Sequence, residues 1–161
     1  MATKLQERQR FIRYYKEQTS KAEIDMHEVA RFAETMGWRL PVPPKPIDLL
    51  AKQFADAARE EIRHDKKTKR PYRANLAITT RLSDGTQLSL WIDTDEAPLH
   101  KMIKALTLYR EQMVGEAVIA TNTAEHWNSV NPKQQAIAFP TDFTDDVEWR
   151  KNAPDEGEKA S

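Results

Sequence analysis

Apolar and polar residues alternate over only two runs of this chain, and a turn signal separates them. Tyr72, Ala74, Leu76, Ile78, Thr80 and Leu82 share one side of the first run; Leu88, Leu90 and Ile92 share one side of the second. Period-two patterning on both sides of a turn predicts a β-hairpin. A two-residue Asp84-Gly85 turn would pair Ile78 with Trp91 and put the two apolar sets on opposite faces. A three-residue loop, Ser83-Asp84-Gly85, with Gly85 left-handed, pairs Thr80 with Leu88, Ile78 with Leu90 and Leu76 with Ile92. Only that register buries both sets together, so it is the one expected. The outer face then carries Arg73 opposite Asp95, Asn75 opposite Asp93, Ala77 opposite Trp91 and Arg81 opposite Gln87.

Helical spacing governs the flanks. Residues 4–18 read as a helix with Leu5, Phe11, Ile12 and Tyr15 near one side. Asp25 and Glu28 have capping-box spacing, and Val29, Phe32, Ala33 and Met36 follow as a stripe that ends at Gly37. Four prolines between Pro41 and Pro46 predict a stiff extended strap. A third helix over about 47–64 is expected to bury Ile47, Leu50, Ala51, Phe54, Ala58 and Ile62. A long helix beginning at Pro98 and running to about residue 120 is expected to cover the hairpin. Thr123–Trp127 reads as a separate short turn of helix, and Gln135–Phe139 as a third edge strand on the hairpin. The fold class is therefore α+β, with a single domain over 1–139 and an acidic, partly disordered tail over 140–161.

Charge changes this picture more than composition does. The 161 residues carry no net charge, yet residues 1–73 hold 17 Lys and Arg against 11 Asp and Glu, and the remainder holds 8 against 14. Such a division points to a basic half and an acidic extension with different partners. The densest basic cluster is Arg63, Lys66, Lys67, Lys69, Arg70 and Arg73, interrupted only by Asp65. Clusters of this kind neutralise phosphates. Beside it, Asn75 and Trp91 on the outer hairpin face suit a polar and a stacking contact to DNA or RNA. Phe143, Val147 and Trp149 lie within the acidic stretch and suit anchoring to a protein partner.

Other chemistry finds little support. With no cysteine there is no disulfide framework, thiolate site or cysteine nucleophile. No apolar run approaches the ~20 residues of a spanning helix, and the N-terminus lacks a signal-peptide core, so a soluble cytoplasmic protein is expected. Glycines at only 37, 85, 115 and 157 leave no phosphate-cradling loop. The histidines at 27, 64, 100 and 126 show no ligand spacing. Asp93, Asp95, Glu96 and His100 form a remote Mg²⁺ candidate, but Arg73 opposite Asp95 satisfies that carboxylate more simply. No cofactor and no catalytic residue is expected.

Three helices, a basic loop and a hairpin follow the order of a winged helix, although the strap, the mixed charge of the third helix and a pI near 7 argue against it. The stretches EIDMHEVARFAETMGW, RPYRAN, EHWNSVNP and DDVEWRKNAPDE resemble a group of uncharacterised bacterial proteins. That resemblance implies a bacterial source and no particular activity. The expected function is a small non-enzymatic accessory or regulatory protein, its basic half on nucleic acid and its acidic tail modulating this or binding a partner. The alternatives are a protein-interaction subunit without nucleic-acid contact and, more remotely, a Mg²⁺-dependent hydrolase. Oligomeric state is not legible.

Overall fold

The computed structural model describes residues 1–153, so Asp155, Glu156 and Glu158 of the acidic tail lie outside the described residues. The chain is α+β. It forms two compact units, Met1–Leu49 and a second from Leu50 onward.

The first unit is a helical pair with aromatic packing. Helix α1 (Lys4–Thr19) opens on a full capping box in which Thr3 and Gln6 bond each other's backbone N–H. Helix α2 (Met26–Thr35) opens on Asp25, whose carboxylate accepts the His27 N–H at 2.8 Å. The box expected from Asp25 and Glu28 is not made, since Asp25 caps through His27 alone. Glu28 instead accepts from the Tyr15 hydroxyl and the Lys21 ammonium, each at 3.2 Å, and so ties α2 to α1. Tyr15 and Val29 are buried, and Phe32 stacks at an edge on Tyr15 with ring centres 5.4 Å apart. Gly37 has φ +91°, and the N–H of Trp38 reaches back to Ala33 to close α2. The proline strap carries no regular structure as far as Lys45.

Helix α3 (Pro46–Glu60) is shorter than its apolar spacing predicts. Its stripe is also not buried: Ile47, Leu50, Phe54 and the following Ile62 are exposed. Periodicity shows which side chains share a side of a helix, not whether anything covers that side. Past Glu60 the chain enters a hairpin of three-residue strands: β1 (Ile62–His64), where the end of the helix is expected, and β2 (Pro71–Arg73), where the start of the long hairpin's first strand is expected.

A second antiparallel pair, β3 (Asn75–Arg81) and β4 (Gln87–Asp93), has the anticipated register, with Ile78 opposite Leu90 and Ala77 opposite Trp91. Gly85 has φ +85°, and Leu82 bonds Thr86 across the three-residue loop. Ala74 joins the two hairpins and is wholly buried; its N–H donates to Glu61 and its carbonyl accepts from Thr94. Because the chain turns at Ala74, Arg73 pairs with Ile62 rather than lying opposite Asp95. The apolar face of β3–β4 is covered at Ile78, but Leu90 directly opposite is 60% exposed, and Leu82 and Leu88 towards the loop are exposed as well.

Helix α4 (Leu99–Val130) packs on β3 and buries Ala105. It continues through Gly115 and absorbs the turn expected at Thr123–Trp127, reaching 32 residues. Gln135–Phe139 forms no strand. Its backbone is held at Ile137 by the Asn128 amide, which donates to the carbonyl at 2.9 Å and accepts from the N–H at 2.8 Å. A short helix, α5 (Thr144–Asn152), lies within the segment expected to be a tail.

Candidate nucleic-acid interface

The last turn of α3 leaves carbonyl groups without helical partners, and side chains from the strands supply them. The Arg73 guanidinium donates to the Arg59 carbonyl, and the Asn75 amide donates to the Ala58 carbonyl at 3.2 Å. Asn75 also donates to the Glu61 carboxylate at 2.8 Å. A positive group at a helix C-terminus is favourable in its own right. These bonds hold Arg73 and Asn75 against α3 and open a cleft of about 630 Å³ between α3, the outer face of β3–β4, and α4.

Trp91 stands half-buried in this cleft, opposite the small Ala77, and the Arg59 guanidinium lies 5.8 Å from its ring centre. Thr79 and Ser89 share a hydroxyl hydrogen bond of 2.9 Å across the strands. Tyr109 and Gln112 enter from α4. Two arginines and no carboxylate line the space.

Arg63 is turned elsewhere. Its two terminal nitrogens each meet Asp93 at 2.9 Å, and Nη1 also donates to Asp95 at 2.8 Å. The Tyr72 hydroxyl donates to Asp95 at 3.1 Å. Arg63 thereby holds the Asp93 carboxyl below the usual carboxylate range, with the Asp95 N–H contributing. The Tyr72 phenol is pushed up, by desolvation first and by Asp95 second. The pairing expected between Arg73 and Asp95 is thus made by Arg63. Asp93 and Asp95, two of the three carboxylates of the Mg²⁺ candidate, are occupied by it, and among the described residues no group of three or more acidic or histidine side chains is disposed to hold a metal.

Lys66, Lys67 and Lys69 occupy the turn between β1 and β2 and are exposed. Asp65, the one acid there, is used inward: its carboxylate accepts the N–H groups of Thr68 and Lys67, each at 2.8 Å, which keep it below its ordinary value. Lys69 takes φ +59° to close the turn. The three ammonium groups pair with no described carboxylate. Arg70 donates to the side chain of Asn152 at 2.9 Å, which brings the end of α5 to the basic turn.

The tail residues divide. Phe143 lies in an apolar groove of about 500 Å³ with Met113, Val114, Ala117 and Val118 of α4. Val147 is exposed, and Trp149 is 72% exposed.

No family model, curated protein or solved structure matches this chain. Among the described residues, no helix is long and apolar enough to cross a membrane. Of the side chains that sequence spacing selects, the fold gathers Arg73, Asn75 and Trp91 in one cleft and displays Lys66, Lys67 and Lys69 at the neighbouring turn. It diverts Arg63 to carboxylates and Arg70 to α5. Arg59, Tyr109 and Gln112 escape a sequence reading, because nothing in the spacing of α3 or α4 states which of their faces meets the outer side of the hairpin.

Proposed function

We propose that the part of the chain from Leu50 onward binds nucleic acid, as a small non-enzymatic accessory or regulatory protein, and that its acidic C-terminal segment modulates the contact. The observation that carries this reading is the cleft around Trp91, lined by Arg73 and by Arg59, which is itself paired with Asp56 at 2.8 Å, and leading along β2 to the exposed lysine turn. Phosphates are held by such cations, and an aromatic side chain beside them offers a surface for a base. The Arg70–Asn152 hydrogen bond supports the modulating role, since it ties to the basic turn the C-terminal end of α5, the helix whose first turn carries Asp145 and Asp146. A bacterial cytoplasm is the setting that goes with this reading. The test is retention of a labelled oligonucleotide by the folded protein and by the variant Lys66/Lys67/Lys69→Ala. Loss in the variant is expected; equal retention by both removes the proposal.

A second reading, a protein-interaction subunit, is favoured by apolar exposure on the C-terminal elements. Leu99, Ile103, Leu106 and Met113 of α4 are all exposed, as is Trp149 of α5. Co-purification of a protein partner that disappears on truncation before Pro140 would select it.

A further inference from the structure

We infer that the Trp91 cleft selects single-stranded nucleic acid, admitting one unpaired base beside Trp91 while the flanking phosphates follow β2 towards the lysine turn. This rests on the nucleic-acid reading above and adds the form of the ligand.

Size is the first argument. A cleft of about 630 Å³ has the capacity of a site for one small molecule, within the range of about 300–1,000 Å³ typical of such pockets. It can take a base and its sugar. A duplex keeps its bases stacked and paired, so a base could enter only by leaving the stack, whereas an unpaired base has little to give up.

The lining supplies the second argument. Ala77 opposite Trp91 leaves the indole clear of a bulky cross-strand neighbour. The Arg59 guanidinium, itself planar, already lies over the ring and can stack on an entering base. Gln112 and Tyr109 make no side-chain hydrogen bond to any described residue, though both face the cleft. The Gln112 amide therefore offers both a donor and an acceptor to a base edge. The Thr79 and Ser89 hydroxyls retain hydrogen-bonding capacity beyond the one bond they share.

The third argument is the path of the backbone. Arg73 spends one N–H on the Arg59 carbonyl, and a guanidinium has five. From Arg73 the strand β2 leads back to Pro71 and then to the turn carrying Lys69, about 13 Å away at the rise of a strand, and Lys67 and Lys66 beyond it. A chain of phosphates extending from the cleft would meet cations in succession, with Arg63 removed from the series by its own carboxylates.

The experiment is fluorescence anisotropy of the full chain with a labelled single strand of about 12 nucleotides, the matching duplex, and a mononucleotide as competitor at equal salt. The single strand is expected to bind at least tenfold tighter than the duplex. Trp91→Ala should erase that preference, Trp91→Phe should keep most of it, and Gln112→Ala should weaken single-strand binding several-fold without touching any bond within the protein. A duplex bound as tightly as the single strand, an unchanged preference in Trp91→Ala, or a mononucleotide as tight as the strand overturns the inference. Binding of no nucleic acid by the wild-type chain overturns the proposed function itself, and so separates the two failures.

Discussion

Arg63 and Asp93 meet through two parallel hydrogen bonds, Nη1 to Oδ1 and Nη2 to Oδ2, each 2.9 Å long. This fork ties β1 to the end of β4, two small sheets that share no strand. Its geometry suits a guanidinium and not an ammonium. Arg63→Ala should therefore lower the urea midpoint of unfolding, and Arg63→Lys should restore only part of the loss. Equal midpoints for all three proteins would show that the fork adds nothing.

Acid should weaken the same tie. Asp93 is held below its ordinary carboxylate value by Arg63 and by the Asp95 N–H. A group depressed on folding contributes stability that is fully present above its unfolded pKa, about 3.9, and is lost as pH falls through the folded value. Arg63, raised by Asp93 and Asp95, stays charged throughout. Stability is thus expected to fall below about pH 4, and Asp93→Asn should flatten that limb. Unfolding curves taken between pH 2 and 7 check both slopes.

Two glycines should respond in opposite directions to the same change. Gly85 sits at φ +85°, so Gly85→Ala carries a left-handed strain of about 1–2 kcal/mol. Gly115 lies inside α4, and a Cβ built there meets nothing within 4 Å. Gly115→Ala should raise stability by about 1 kcal/mol through helix propensity alone. Thermal melts of the two variants beside the wild type read the signs directly.

The C-terminal segment should restrain binding. Removing residues 140–161 takes away Asp142, Asp145, Asp146 and Glu148 and releases Arg70 from Asn152. Oligonucleotide affinity at low salt is expected to rise several-fold. A fall would assign the segment to the binding surface.

The β3–β4 hairpin was legible in full because its apolar residues repeat with a period of two on both sides of a loop that only one register reconciles. Gly85 had to be left-handed for that loop to close, and it is. The β1–β2 hairpin was not legible. Its strands are three residues long and patterned by charge, and they are set by the end of α3 and by the buried Ala74. The span of α4 was underestimated because Gly115 and the polar Thr121–His126 stretch interrupt the stripe without stopping the backbone ladder. As for the cleft, Arg73, Asn75 and Trp91 could be picked by type and strand parity. Arg63 could not be separated from its basic neighbours, since its partners Asp93 and Asp95 lie about 30 residues away in sequence.

The central claim is that an anionic chain sits on the cations between Trp91 and the lysine turn, and salt is its most direct probe. Single-strand affinity measured from 50 to 300 mM salt should fall linearly on logarithmic axes. Displacement of about four counterions from Lys66, Lys67, Lys69 and Arg73 predicts a slope near −3. The same plot for Lys66/Lys67/Lys69→Ala should be shallower by about 2. A flat line for the wild type, or identical slopes for the two proteins, contradicts the account.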